Sequence, residues 1–235
     1  MDLKNKTVLI TGGNSGLGFE IARQLVGKDA KVIILGKDKE KLDKAKKTLG
    51  EKASTIVCDV RNYDEIAKNL SGVKELDVLV NCASIINYKY LHEHDPQNIK
   101  DIVDANLLGT IYTTRELFPL FKKQNSGTII NVSSTSGLPT GGHTSQSVYT
   151  ASKFGVYGFT EALKRDVEEL GVNIRVLGFY PGGMRTNLYS SAGLEKDTSD
   201  FMDPVEVAKV VVFMIECPDG IRMDHVVINR NKNAK

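Results

Sequence analysis

Seven short apolar runs punctuate the chain, at residues 8–10, 32–35, 55–57, 78–80, 128–132, 174–179 and 226–228. They are rich in Val, Ile and Leu and too short for helices, which suits strands buried on both faces. Between them the apolar spacing changes to that of helices. Phe19, Ile21, Ala22, Leu25 and Val26 mark one such segment. Residues 97–121 predict a second, with Ile99, Ile102, Val103, Leu107, Leu108 and Ile111 in a broad stripe, and residues 148–170 a third, with Val156, Phe159 and Leu163. Strands alternating with helices predict a single α/β domain over 1–235, a doubly wound, mainly parallel seven-stranded sheet with helices on both faces. In such a sheet a ligand is expected outside the carboxyl ends of the strands, where the strand order reverses.

Bulk properties narrow the reading. The chain has 235 residues, 41% of them hydrophobic, enough for the core of one domain. Thirty-one basic against 29 acidic residues leave a net charge of +2. No block of like charge points to nucleic acid or an anionic membrane as a partner. The basic segment 37–47 is interleaved with Asp38, Glu40 and Asp43 and reads as a solvated helix face. Asp2, Lys4 and Lys6 precede no apolar signal core, and the longest apolar run, 210–215, is far too short to span a bilayer. Cys58, Cys82 and Cys217 are too scattered for a disulfide framework or zinc site, and Cys58 and Cys82 are expected as small buried hydrophobes. This usage suits a reducing, cytoplasmic setting. His92, Glu93, His94 and Asp95 lack a further clustered ligand, so no metal is expected and the histidines are placed at the surface. The polar tail, 229–235, is expected to fray.

Two motifs carry chemistry. Thr11-Gly12-Gly13-Asn14-Ser15-Gly16-Leu17-Gly18 lies between a predicted strand and a predicted helix. Glycines there let the backbone approach a pyrophosphate, and the helix start offers free N–H groups and the positive end of its dipole. The second motif is Tyr149-Thr150-Ala151-Ser152-Lys153, which places a phenol and an ammonium on one helix face. Free tyrosine titrates near pH ~10, so a working proton donor and acceptor needs roughly 4 kcal/mol of differential stabilisation. One unit charge at ~4 Å supplies about that much at an effective dielectric of ~20.

Together these motifs make the chain resemble the short-chain dehydrogenase/reductase family over nearly its whole length. Further stretches fit in order: Asp59-Val60 after the third strand, Asn81-Cys82-Ala83-Ser84 after the fourth, Asn106 in a helix, Ser134 before Gly137, and Pro181, Gly182 and Thr186 after the sixth. Asn81-Cys82-Ala83-Ser84 is only half matched to the family's Asn-Asn-Ala-Gly. The resemblance implies a Rossmann-like fold and hydride transfer between a nicotinamide cofactor and a carbonyl or alcohol substrate. It implies that Tyr149 moves the proton, that Lys153 lowers the pKa of Tyr149 and holds the nicotinamide ribose, and that Ser134 holds the substrate oxygen. Asn106 would help hold a water linking Lys153 to solvent. Gly12, Asn14, Ser15, Gly16, Leu17, Gly18, Gly36, Lys37, Asp59, Val60, Asn81, Ala83, Pro181, Gly182, Met184 and Thr186 would contact the cofactor, along with Tyr149 and Lys153. The interval from Ser134 to Tyr149 exceeds the usual one, so residues 138–147 are expected to enlarge a loop shaping the pocket. Residues 187–202 would cover the substrate.

Where family members using NAD(H) place an acid after the second strand, this chain has Gly36 followed by Lys37. That favours NADP(H), with NAD(H) possible, because Asp38 either competes for the ribose or caps the helix beginning near Lys39. The resemblance also implies a homodimer or homotetramer formed through the helices at 97–121 and 148–170. A cofactor-binding sensor without catalysis is the alternative from another class, favoured by Ser84 and opposed by the four residues Asn106, Ser134, Tyr149 and Lys153.

Overall fold

The structure, a computed structural model, describes residues 2–218, 220–221 and 223–231. Residues 232–235 of the tail expected to fray lie outside this range. Seven strands form one parallel sheet: β1 (Thr7–Thr11), β2 (Lys31–Gly36), β3 (Ala53–Val57), β4 (Val78–Asn81), β5 (Gly127–Val132), β6 (Ile174–Pro181) and β7 (His225–Ile228). Their order is β3-β2-β1-β4-β5-β6-β7, and every neighbouring pair is parallel. The order reverses between β1 and β4, which lie side by side with Thr11 opposite Asn81. The protein has the Rossmann-like, doubly wound fold expected from the alternation of elements.

The strands read as continuous apolar runs because successive side chains enter two different layers. Val8 and Ile10 of β1, with Val78 and Val80 of β4, pack against α1 (Gly16–Val26), α2 (Lys39–Leu49) and α7 (Pro204–Glu216). Leu9 and Leu79 point the other way, towards α3 (Tyr63–Leu70), α5 (Gly109–Gln124) and α6 (Ser147–Glu169). Asp38 caps α2 by accepting from the Lys41 N–H at 3.0 Å.

The helix expected over 97–121 is instead three joined pieces. The helix α4 (Pro96–Val103) passes into a π-turn at Asp104–Leu108 and then into α5. The wider turn inserts a residue into the helical ladder, a common device at functional sites, and Asn106 stands at its centre. No helix among the described residues is long and apolar enough to cross a membrane. His94, expected at the surface, is buried, with neither ring nitrogen hydrogen bonded. The turn at Leu91–Glu93 folds the chain back on itself just before it, and the His94 N–H reaches the Leu91 carbonyl. His92 is exposed as expected.

Candidate active site

A cleft of about 1580 Å³ runs along the carboxyl ends of the strands, where β1 meets β4. One end is the glycine turn. Gly12 sits at φ 69°, and a Cβ there would lie 2.9 Å from the Ala83 Cα. A Cβ on Gly18 would lie 2.5 Å from the Gly12 carbonyl oxygen. The turn therefore closes only with glycine at both places. Ser15 starts α1 without a side-chain capping bond, and Ser15, Gly16 and Leu17 face the cleft. That cradle fits a pyrophosphate. Thr11, which the motif's spacing leaves without a role, ties the turn to the next loop: its Oγ1 accepts from the Cys82 and Ala83 N–H groups at 3.0 and 3.1 Å.

Beyond the turn the cleft is lined by Asn14, Gly36, Lys37, Lys41, Asp59, Val60 and Arg61. A Cβ on Gly36 would lie 2.7 Å from the Asn14 Oδ1, so an acidic side chain at 36 would displace Asn14. Asp38 is committed to the α2 cap and pairs with the Lys41 Nζ at 3.4 Å. Asp59 is held by Arg61, whose Nη2 donates to it at 2.7 Å. Burial raises the pKa of Asp59, but the Arg61 hydrogen bonds and charge outweigh it and leave the carboxyl below its ordinary range.

The far wall carries Tyr149, Lys153 and Ser134. Tyr149 and Lys153 lie one turn apart on α6, both buried. Ser134 follows β5; its Oγ accepts from the Ser136 N–H at 3.1 Å and also hydrogen bonds with Tyr149. Ser134 thus caps the turn at Thr135–Gly137 from beside the Tyr149 phenol. The Ser133 Oγ donates to the Lys153 carbonyl at 2.8 Å and locks this loop onto α6.

The expected electrostatic pairing of Lys153 with Tyr149 is not what governs the two groups here. The Lys153 Nζ donates to the Val132 carbonyl at 3.1 Å and stands 5.8 Å from the Tyr149 ring centroid. Burial drives both groups towards neutrality. It pulls Lys153 down from 10.5 to about 8. It pushes Tyr149 well above the ordinary phenol value, against the Ser134 hydrogen bond, which favours the phenolate.

Two expected site residues lie behind the cleft wall. Asn81 does not line the cleft; its Nδ2 donates to the Thr114 Oγ1 and the Asn131 Oδ1, both at 2.9 Å, within a polar ladder between the sheet and α5 and α6. Asn131 extends the ladder to the Thr160 Oγ1 at 3.0 Å. Asn106 has its side chain fully engaged. Its Oδ1 accepts from the Ile85 N–H and the Ser84 hydroxyl, and its Nδ2 donates to the Ile85 carbonyl and the Ser152 Oγ. This leaves no side-chain atom for the expected water and makes Asn106 the clamp between α6 and the loop after β4. Ser84, where the family pattern has glycine, supplies one of those bonds. Cys82 is half-buried in the cleft wall rather than in the core, because β4 ends at Asn81.

Pro181, Gly182, Met184 and Thr186 line the cleft after β6. The segment 187–202 covers its outer part, closed at the base by the Met184–Met202 bridge. The enlarged loop brings His143, Thr144, Ser145 and Gln146 to the wall. Tyr88, Lys196 and Arg230 also face the cleft, and the family motifs singled out none of them. They come from three separate segments, after β4, between β6 and α7, and after β7.

The sequence matches the short chain dehydrogenase family over residues 6–197, and the chain belongs to that family of oxidoreductases. It is 28% identical to an uncharacterized oxidoreductase of Staphylococcus saprophyticus, covering 97% of this chain and 98% of that one. It is 31% identical to carbonyl reductase family member 4 of Xenopus tropicalis, covering 91% and 92%. Among solved structures it aligns with a serine dehydrogenase complexed with NADP+, with a TM-score of 0.86, 28% identity and 94% of each chain covered. A 3-ketoacyl-(acyl-carrier-protein) reductase of Brucella melitensis complexed with NADH aligns with a TM-score of 0.85, 25% identity and coverage of 97% of this chain and 98% of that one.

Proposed function

We propose that the protein is an NADP(H)-dependent oxidoreductase acting on a small carbonyl or alcohol, with Tyr149 as general acid and base. The observation that carries this reading is the meeting of Tyr149, Ser134 and Lys153 on the buried wall of a cleft that begins at the N-terminus of α1. A dinucleotide bound there supplies or takes up the hydride. Gly12, Asn14, Ser15, Gly16, Leu17 and Gly18 hold its pyrophosphate side, and Gly36, Lys37, Asp59 and Val60 its adenosine side. Ala83, Pro181, Gly182, Met184, Thr186 and Lys153 surround the nicotinamide side. Ser134 holds the substrate oxygen beside the Tyr149 hydroxyl, which gives its proton to the developing alkoxide in reduction and takes it back in oxidation. The test is turnover of NADPH and NADH, followed by nicotinamide absorbance against a panel of aldehydes and ketones. Cofactor binding without turnover of any of them would leave the sensor reading instead.

The preference for NADP(H) is supported by Lys37 at the adenosine end and by the pairing of Asp38 with Lys41 and of Asp59 with Arg61, which leaves neither acid free to repel a 2′-phosphate. NADH-bound and NADP+-bound relatives share this fold, so the local charges decide. Lys37→Glu should lower the ratio of kcat/KM for NADPH over NADH at least tenfold, about 1.4 kcal/mol, by removing an attraction and adding a repulsion. A wild-type ratio below one would overturn the preference. An unchanged ratio in the variant would assign the phosphate to other groups, such as Asn14 and Ser15.

We also propose a cytoplasmic homodimer or homotetramer joined through the outer faces of α4, α5 and α6. Support comes from exposed Phe154 and from half-buried Val103, Leu107, Leu108 and Ile111. Light scattering on the purified protein should return a multiple of the 25.8 kDa chain mass, and a monomer would refute the proposal.

A further inference from the structure

Lys196 stands in the segment between β6 and α7, at the mouth of the cleft. Its ammonium lies 4.5 Å from the ring centre of Tyr88, 5.3 Å from that of Tyr189 and 5.5 Å from that of Phe201. It also donates to the Tyr88 hydroxyl at 3.2 Å. Three rings and one hydrogen bond hold the end of a long, exposed side chain in one place, so little freedom is left to lose when a ligand binds. An ammonium has three donors, and Tyr88 uses one. Among the described residues no carboxylate forms an ion pair with Lys196, while Asp200, the acid of this segment that lines the cleft, is paired with Arg230. Tyr189 joins this cation to the reacting group, because it packs with Tyr149 and Ile86 in one apolar cluster. A cation held without a counter-charge, one aromatic side chain from the proton donor, is a subsite for an anion.

We infer that Lys196 is a specificity-determining residue and that the substrate is a carbonyl compound, or its alcohol, with a carboxylate or phosphate a few bonds from the reacting carbon. This rests on the carbonyl reduction proposed for the same cleft. The anion would take the two remaining Lys196 donors in a charge-assisted contact while its oxo group reaches Ser134 and Tyr149.

The experiment compares charged and neutral partners on the full chain: succinic semialdehyde against its methyl ester, and glycolaldehyde phosphate against glycolaldehyde. Wild type should favour an anionic partner in kcat/KM, mostly through KM, and the pair with the larger ratio identifies carboxylate or phosphate as the preferred group. Rising salt should erode that preference. In Lys196→Met, whose thioether suits the same rings, the anionic-to-neutral ratio should fall at least tenfold, while Lys196→Arg should retain most of it. Lys196→Gln gives a second neutral variant. Equal rates on charged and neutral partners in wild type, or a preference that survives both neutral substitutions, would overturn the inference and leave the carbonyl reduction standing. So would preferential turnover of aminoacetaldehyde that rises in Lys196→Met, which would make the three rings a site for a substrate cation. No turnover of any of these aldehydes, or of a wider carbonyl panel, with either cofactor would overturn the reduction itself and this inference with it.

Discussion

Tyr149→Phe should lower kcat by a factor of about 10²–10⁴, the usual worth of a positioned general acid, with cofactor affinity nearly unchanged. The substitution removes one oxygen and keeps the ring that packs with Ile86 and Tyr189. It also frees the Ser134 hydroxyl, which retains its bond from the Ser136 N–H, so the loop after β5 stays in place. Retention of more than about a tenth of wild-type kcat would mean that another group delivers the proton. The pH dependence should differ between the two directions. Burial raises the pKa of Tyr149, so the phenol needed for carbonyl reduction persists through neutral pH and above. Alcohol oxidation needs the phenolate and should climb with pH over the same range. In a difference spectrum against Tyr149→Phe, phenolate absorbance appearing between pH ~7 and ~9 would contradict a buried, high-pKa donor.

Lys153→Met should abolish most activity and yet make the protein more stable at neutral pH. Lys153 is only 2% exposed, and its Nζ donates to an uncharged carbonyl, that of Val132. Its folded-state pKa is depressed from 10.5 to about 8, so between these values the folded protein binds fewer protons than the unfolded chain, and stability rises with pH. Below pH 8 the buried ammonium carries its full cost, on the order of 3 kcal/mol at 1.36 kcal/mol per pK unit. Methionine removes that cost, offset in part by the unpartnered Val132 carbonyl. The variant's gain in unfolding free energy should be largest at pH 7 or below and shrink as pH climbs from 8 towards 10.5. Equal stability at pH 7, or a gain growing with pH, would refute this account. Such a trade of stability for activity is expected where a charge is buried for chemistry.

Much of the site was legible because its chemistry depends on local spacing. The glycine turn reads directly from Gly12 and Gly18, since no other side chain fits between Ala83 and the turn's own carbonyl. Tyr149 and Lys153 share a helix face by their interval alone. Asp38 was open to two readings, and the α2 cap settled its geometry. Asn81 and Asn106 show the limit. Both are polar residues beside the cleft, and their spacing does not tell which side of the wall their side chains take. Packing decides that: the partners of Asn81 come from α5 and β5, 33 and 50 residues away, and those of Asn106 from the loop after β4 and from α6.

The sequence by itself determined the alternation of strands and helices, the parallel sheet, the glycine turn and the shared helix face of Tyr149 and Lys153. These follow from short-range rules: which side chains suit a strand buried on both faces, which backbone angles need glycine, which residues meet after one helical turn. Only the tertiary structure decided what the environment does to those groups. Burial, not the neighbouring ammonium, sets the state of Tyr149. The π-turn at Asn106 forms where α4 and α5 join against the loop after β4. The Lys196 cage draws Tyr88, Tyr189 and Phe201 from separate places in the chain. Desolvation and the convergence of distant loops depend on the completed fold, and no local pattern of residues encodes them.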